Sequence, residues 1–415
     1  MRNKVEKITF IAVLVFLFGY FLQWLDISFL DIHNEFTVVV GGLLCMFLLI
    51  KQRKIRLDLE TCLIAITLII YFIMDYGFQT AIKASDVYVA MVIYVLAHYI
   101  VCEIRKHEQH EEKFVLLITI MAIAITLHGL LNSVVFFKGF FAGAYPRIWD
   151  DFWSGDVIYG TMQVAYFLPV FALMFPRFVC YTKQKLSNTL ILLSTIVFLF
   201  VTVFSQTRMP ILILPMVIVI QFILYVILEK GKVKLFFNKR RILLLSGIFL
   251  AGAIVVGVLL YSTSVGKAFL GAMSRDGGIF NNIRFKIQRS ALEQLFVYPM
   301  GGNQMDHLGY GHTHNAWLDI ADVGGLLPFF AFIIYTVITG YEVVRLIMRK
   351  EISSETKIVV AGLYAVYFIF FTIEPSLDWS VHFMVPWLFI HGLVHGYVHD
   401  EKGRKNVTFD NSSSL

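Results

Sequence analysis

The stretch from Gly309 to Phe330, GYGHTHNAWLDIADVGGLLPFF, joins a polar loop directly to an apolar segment of membrane length. The apolar run predicts a membrane-spanning helix, so the polar residues before it are expected at a membrane surface. We interpret this junction as the candidate active site and the rest of the chain as its scaffold. Six of its side chains could contact or transform a ligand: His312, His314, Asn315, Trp317, Asp319 and Asp322.

The composition of the 415-residue chain places it among polytopic membrane proteins. Hydrophobic residues make up 58% of the chain and charged residues only 15%, which is outside the range of soluble globular domains. A net charge of +6 would suggest a nucleic-acid partner in a soluble protein. In a membrane protein the placement of Lys and Arg reports topology instead, so no nucleic-acid partner is expected.

Since a membrane core takes about 20 apolar helical residues, the sequence predicts an all-α fold with about twelve transmembrane helices. Nine of them are expected within residues 1–262, and three more within 323–398. Residues 263–322 form a large external loop with short amphipathic helices, and 399–415 form a cytoplasmic tail. The spans are predicted to start near Ile8, Phe36, Thr61, Val87, Phe114, Ile158, Thr189, Ile211, Ile242, Val323, Ile358 and Val381.

The Lys and Arg residues lie mostly in alternate connections, which predicts the topology. Basic connections such as 51–56 (KQRKIR) and 229–241 (EKGKVKLFFNKRR) face the cytoplasm by the positive-inside rule. Both termini are then cytoplasmic and the histidine-bearing loop is external. No small-residue cleavage site follows the first apolar segment, so we expect it to remain as a signal anchor.

The large external loop is predicted to contain an amphipathic helix over Asn282–Phe296, because apolar residues recur there at four-residue spacing. Tyr298-Pro299 ends this helix, and Gly301-Gly302 permits a tight turn. The helix therefore brings the guanidinium groups of Arg284 and Arg289 towards His314.

Arg208 is the only charged residue of the external turn Ser205–Pro210 (SQTRMP). A single arginine at a helix end commonly extends to lipid head groups. Together with the loop arginines, however, Arg208 fits a diphosphate site, since several guanidinium groups bind such a ligand bidentately.

The other long external connection, residues 138–157, is rich in aromatic residues. Trp149 and Trp153 flank Asp151, a combination suited to stacking on sugar rings while accepting hydrogen bonds from hydroxyl groups. The same residues also fit an interfacial aromatic belt, and both interpretations stay open.

The chain resembles the O-antigen ligase and Wzy-type polysaccharide polymerase superfamily of bacterial envelope glycosyltransferases. The architecture is similar over nearly the whole chain, whereas the local motifs cover about fifty residues. Arg284, Ala291, Pro299 and Gly301-Gly302 match the helix of the family's loop, although Gln288 stands where an aromatic residue is usual. His314, Asn315, Leu318 and Gly325 match its histidine motif, with Pro328 in place of a second glycine. Ser205, Arg208 and Pro210 match its external arginine turn.

The resemblance implies a glycosyl donor linked to undecaprenyl diphosphate, used on the outer face of the bacterial cytoplasmic membrane. Arg208, Arg284 and Arg289 would stabilise the leaving diphosphate, since preorganised donors there contribute about 3 kcal/mol each. His314 would accept the proton of the acceptor hydroxyl, with Asn315 orienting substrate or ring and Asp319 as the reserve base. Further candidates for binding acceptor or sugar are His312, Trp317, Trp149, Asp151 and Trp153.

Several alternatives remain open within and beyond this class. A polymerase is favoured over a ligase that transfers the glycan to lipid A core or another acceptor, and a RodA-type cell-wall polymerase is a further possibility. A lipid-linked glycan flippase would need a charged path through the spans. His314 could also simply cap a helix. We predict catalysis without a metal or other cofactor, and membrane lipids, a flippase and a chain-length regulator are the expected partners.

Overall fold

The computed structural model is helical almost throughout the residues that it describes, which confirms the all-α class. These are residues 2–22, 34–52, 58–77, 84–106, 109–142, 148–153, 155, 157–180, 185–205, 207, 209–229, 261–262, 267, 270–271, 283–309, 311–374 and 383–399. The helices are α1 (Arg2–Phe21), α2 (Asn34–Gln52), α3 (Leu59–Gly77), α4 (Ala84–Ile104), α5 (His110–Phe141), α6 (Gly160–Ala165), α7 (Leu168–Cys180), α8 (Lys185–Phe204), α9 (Met209–Leu228), α10 (Ile283–Gln294), α11 (Ala316–Gly324), α12 (Leu326–Met348), α13 (Ser354–Ile373) and α14 (Val385–His399).

Four of these helices are long and apolar enough to cross a membrane, namely α4, α5, α12 and α13. Shorter apolar stretches lie within α2, α8 and α9 and across α6 and α7. The described part of the chain is therefore compatible with a membrane protein, but it does not support the predicted count of about twelve spans. Several predicted spans correspond to these shorter apolar stretches, and the ninth, near Ile242, lies outside the described residues.

The sixth predicted span, near Ile158, starts in the second strand of a β-hairpin and not in a helix. Strand β1 (Ile148–Asp150) pairs antiparallel with β2 (Val157–Tyr159), and Trp149 lies opposite Ile158. α6 then ends at Ala165 and α7 starts at Leu168. Pro169 accounts for this interruption, because it has no backbone N–H with which to continue the helical hydrogen bonds.

The chain forms two compact units. The first comprises Met1–Ile125, Arg284–Ile352 and Tyr367–Leu415, and the second comprises Thr126–Ile283 and Ser353–Val366. The loop between α10 and α11, with its histidines, belongs to the first unit.

In the first unit, α14 is buried along nearly its whole length and packs closely against α4. A Cβ atom at Gly392 would lie 2.4 Å from the carbonyl oxygen of Tyr94, and one at Gly396 would lie 2.6 Å from that of His98. Small residues four positions apart let two helix backbones approach in this way. This contact fixes the rotation of α14 and therefore which of its side chains face the other helices.

In the second unit, α7 packs against α8 and α9. The buried side chain of Gln221 on α9 donates hydrogen bonds to the carbonyl oxygens of Ala172 (2.6 Å) and Ile358 (3.2 Å). Gly362 leaves room for this amide, since a Cβ atom there would lie 2.0 Å from Gln221 Nε2. A polar contact among apolar helices thus joins three segments of this unit.

Candidate functional site

The loop that follows α10 is bonded to the C-terminal end of α11. Gly302 donates its backbone N–H to the carbonyl oxygen of Val323 (3.0 Å), and Asn303 donates to that of Asp322 (2.8 Å). Across the same contact, Leu326 donates to the carbonyl oxygen of Pro299 (2.9 Å). The end of α10 and the start of α12 are thereby held together, and the histidine segment closes the loop between them.

Two glycines make this backbone contact possible. Gly301 and Gly325 have φ angles of 72° and 82°, in the left-handed region that favours glycine. A Cβ atom at Gly301 would lie 2.4 Å from the carbonyl oxygen of Val323, and one at Gly325 would lie 2.5 Å from that of Pro299. The tight turn predicted at Gly301-Gly302 is confirmed, and Gly325 separates α11 from α12.

Asp322 and Asp319 both hold the backbone of the loop. Asp322 Oδ1 accepts a hydrogen bond from the N–H of Met305 (2.9 Å), and its Oδ2 lies 2.8 Å from His307 Nε2. Asp319 Oδ1 accepts from both the N–H (2.9 Å) and the hydroxyl (2.6 Å) of Thr313. Asp319, the predicted reserve base, is buried and fixes the residue that precedes His314.

Asn315 caps α11. Its side-chain oxygen accepts hydrogen bonds from the N–H groups of Trp317 and Leu318, both at 3.1 Å, as an N-cap residue does. Its amide donates to the carbonyl oxygen of Thr372 near the end of α13 (3.2 Å). Asn315 therefore aligns the start of α11 with α13 and sets the position of the neighbouring His314.

His314 has a backbone φ of 56°, which is uncommon for a residue other than glycine. Gln288 of α10 helps to hold it, because its amide donates to the carbonyl oxygens of His314 (2.8 Å) and Thr372 (3.0 Å). Gln288 therefore joins α10 to both the histidine loop and α13. A non-glycine residue with positive φ persists only where its surroundings over-determine it.

Glu374, which follows α13 directly, brings a carboxylate to His314. It is fully buried, and its Oε1 accepts a hydrogen bond from Arg284 Nη1 at 2.5 Å. Its Oε2 lies 3.7 Å from His314 Nδ1. Within the part of the chain that the structure describes, neither Glu374 Oε2 nor His314 Nδ1 has a hydrogen-bond partner. A guanidinium, a carboxylate and an imidazole therefore lie in one row at the ends of α10, α13 and the loop.

His312 lies beside this row and stays neutral near pH 7. The ring centroids of His312 and His314 are 4.4 Å apart, and the rings are nearly perpendicular. Burial lowers the pKa of His312 to about 4, and the neighbouring His314 adds to that effect, while Glu374 opposes it. His312 is thus suited to exchange hydrogen bonds rather than to carry a positive charge.

In this row the carboxylate of Glu374 faces Nδ1 of His314, an arrangement that suits an imidazole acting as a base. If Nδ1–H of His314 donates to Glu374, Nε2 is left with a lone pair to accept a proton. The 3.7 Å separation is longer than a hydrogen bond, but catalytic contacts commonly shorten only when substrate binds. The carboxylate would then stabilise the imidazolium that forms, as in acid–base triads.

The described structure does not place three other predicted site residues, Arg208, Arg289 and Trp317, in this row. Arg208 lies outside the described residues. Arg289 is exposed and pairs with Glu293 one helical turn away (2.9 Å), so the structure does not bring it to Glu374. Trp317 donates its indole N–H to the hydroxyl of Thr336 (3.1 Å) and packs against aromatic rings of α12 and α13.

The remaining candidates, Trp149, Asp151 and Trp153, belong to the second unit. Trp149 is buried against Phe136, which leaves little of its ring accessible. Asp151 is also buried, with its Oδ2 2.7 Å from His128 Nε2 and accepting a hydrogen bond from Asn132 (2.9 Å). Trp153 is half-buried. These contacts anchor the hairpin to α5, and only Trp153 keeps appreciable exposure for a sugar.

Glu374 is the residue of the site that sequence reasoning missed. It lies about sixty residues after His314 and directly follows the long apolar run of α13, IVVAGLYAVYFIFFTI. A carboxylate at the end of a membrane-length segment is costly to bury, so its position in the sequence indicates a functional residue.

Comparison with models of known protein families finds no match for this chain, and comparison with curated protein sequences finds none either.

Proposed function

We propose that this protein is a membrane glycosyltransferase that uses an undecaprenyl-diphosphate-linked oligosaccharide on the outer face of the bacterial cytoplasmic membrane. The observation that carries the proposal is the row Arg284, Glu374 and His314 in a chain with helices of membrane length. The family resemblance of the loop motifs supplies the substrate class. In this proposal the chain has about twelve spans, and both termini are cytoplasmic.

In the proposed mechanism, His314 Nε2 accepts the proton of the acceptor hydroxyl as that oxygen attacks the anomeric carbon of the donor sugar. The bond between that carbon and the diphosphate oxygen breaks, and the diphosphate leaves with the bonding electrons. Glu374 stabilises the imidazolium of His314. Arg284 shares its charge between Glu374 and the leaving diphosphate, and Arg208 is the second proposed diphosphate ligand.

The surface of α10 supports a place for this site at a membrane boundary. Ile287 and Ala291 are buried, whereas Leu292 on α10 and Phe296 and Met300 in the turn after it are exposed although they are large and apolar. Apolar side chains that face outwards on an amphipathic helix and its adjoining turn fit insertion among lipid acyl chains. A lipid-linked donor would then reach Arg284 from within the membrane surface.

Among glycosyltransferases, we propose a polymerase, whose acceptor is a second lipid-linked repeat unit, ahead of a ligase. Both share the donor and the leaving group, so the same row of residues serves either reaction. Undecaprenyl diphosphate is released in both cases.

The test uses purified full-length protein in lipid vesicles that contain the lipid-linked donor and an acceptor. We expect release of undecaprenyl diphosphate together with glycan growth or transfer. Movement of the donor across the bilayer without any release would contradict the proposal and indicate a flippase. A reporter that is active only outside the cytoplasm tests the topology. It should work when fused after Gly302 and fail after Lys234.

A further inference from the structure

A second group of polar side chains lies among three helices of the first unit, away from the histidine loop. Glu342 is buried on α12, His395 and His399 lie on α14, and Glu60 is in the first turn of α3. Each offers one nitrogen or oxygen atom, and these four atoms all lie within 4.8 Å of one another. Two imidazoles and two carboxylates from three separate segments therefore converge on one point.

The distances within this cluster are short. Glu342 Oε1 lies 2.7 Å from His395 Nδ1 and 2.6 Å from His399 Nε2. His395 Nδ1 is also 3.9 Å from Glu60 Oε1. The two histidines are four residues apart, so they stand one above the other on the same face of α14, with ring centroids 4.6 Å apart. Histidines at this spacing can bind a single ion together.

The other ring nitrogen of His395 is already oriented. His395 Nε2 lies 2.7 Å from Asp58 Oδ2, and Asp58 is itself fixed because its Oδ1 accepts hydrogen bonds from the N–H and hydroxyl of Thr61. If Nε2–H of His395 donates to Asp58, the lone pair of Nδ1 points to Glu342 and Glu60. A carboxylate that orients a metal-binding histidine in this way is the usual outer contact of zinc sites.

The burial of Glu342 also favours a bound cation. Its side chain is 2% exposed, and its Oε2 has no hydrogen-bond partner within the described residues. The basic residues Arg105 and Arg349, at this end of α14, donate to the backbone carbonyl oxygens of Tyr397 and Val398 respectively. A buried carboxylate oxygen is costly to leave unpaired, and an ion between it and the two imidazoles would satisfy it.

We propose that Glu60, Glu342, His395 and His399 bind one divalent transition-metal ion, preferably Zn²⁺, and that Asp58 positions His395. Two nitrogen and two oxygen ligands suit tetrahedral Zn²⁺, whereas Mg²⁺ and Ca²⁺ take oxygen ligands almost alone. Four protein ligands complete a tetrahedron, which is typical of structural sites.

The role that follows is structural, not catalytic. Glu342 is sixteen residues beyond Leu326, the start of α12, so it lies about 24 Å along the helix from the histidine loop. The ion would fasten α3, α12 and α14 at the end that carries Asp58, next to the basic connection predicted to be cytoplasmic. Metal binding at this site does not depend on the proposed transferase activity.

The test uses full-length protein without a histidine tag, purified in detergent, stripped with a chelator and titrated with Co²⁺ and then Zn²⁺. We expect one Co²⁺ per chain with visible absorption bands of a four-coordinate site, displacement by Zn²⁺, and a higher unfolding temperature with Zn²⁺. His399→Gln, at the more exposed end of the cluster, should fold and lose this binding. Asp58→Asn should weaken it about 10- to 100-fold. His110→Gln, a histidine that contacts Tyr397 instead, is the matched control and should bind normally.

Equal Co²⁺ binding by wild type and His399→Gln would mean adventitious binding elsewhere and overturn the proposal. So would the absence of binding by the wild type. In that case His395 is simply an imidazolium paired with Asp58 and Glu342, and NMR of the labelled imidazole would find both ring nitrogens protonated. Should Asp58→Asn fail to fold, His399→Gln alone still decides the question.

Discussion

Replacing Glu374 with Gln removes one charge from the centre of the candidate site while keeping nearly the same shape. Glu374 Oε2 is 3.7 Å from His314 Nδ1. At an effective dielectric constant of about 20, a unit charge at that distance stabilises an imidazolium by about 4 kcal/mol, or about three orders of magnitude in rate. Arg284 is bonded to the same carboxylate and offsets part of this effect. We therefore expect a rate about 10- to 100-fold lower in Glu374→Gln.

The assay is the initial rate of undecaprenyl diphosphate release from vesicles that contain purified protein, donor and acceptor. Glu374→Asp retains the charge and should recover part of the lost rate. Unfolding temperatures of both variants control for stability, since Glu374 also anchors Arg284. A wild-type rate in a folded Glu374→Gln protein would refute the role given to this carboxylate.

Three further predictions concern the surroundings of His314. Gly301→Ala should destabilise the fold by at least ~2 kcal/mol, because the new Cβ would meet the backbone of Val323; Gly309→Ala, which has a similar φ but open space around it, should cost clearly less in the same denaturation measurement. Burial lowers the pKa of His312 to about 4 in the folded protein. The folded protein therefore loses stability as pH falls from 6.5 towards 4, because the unfolded chain then binds a proton that the buried imidazole does not. The unfolding temperature of His312→Gln should depend less on pH over that range, and an equal dependence would contradict the burial of His312. Arg284→Lys should keep only part of the activity because a point charge lacks the guanidinium fork, whereas Lys286→Ala, an exposed charge on the same helix, should be near wild type; full activity of Arg284→Ala would exclude a role in diphosphate binding.

The sequence predicts the local elements of the site better than their mutual contacts. The helix expected over Asn282–Phe296 is observed as α10, within two residues at each end, because periodicity and the following proline are local signals. The turn at Gly301-Gly302 is likewise local. The second glycine contact, at Gly325, separates α11 from α12 close to the predicted start of the span near Val323, and that separation depends on a tertiary approach of Pro299.

Glu374 and the cluster around His395 illustrate what the sequence could not reveal. Each depends on residues from segments far apart in the chain, and each side chain by itself is an isolated polar residue in or beside an apolar helix. Asn315 was predicted to orient substrate or ring, and the structure shows that it caps a helix. The described residues do not support the count of about twelve spans, which came from apolar length alone, and hydropathy does not reveal interruptions such as the one at Pro169.

The most direct test of the central claim is the rate of undecaprenyl diphosphate release by His314→Ala in vesicles with lipid-linked donor and acceptor. We expect a loss of about 10²- to 10⁴-fold with normal membrane insertion and donor binding, since the imidazole is removed as the base but the loop is held by Gln288, Asn315 and Asp319. The matched control, His110→Ala, removes an imidazole that contacts Tyr397 instead and should turn over like the wild type. Wild-type turnover by His314→Ala would contradict the assignment of His314 as the general base.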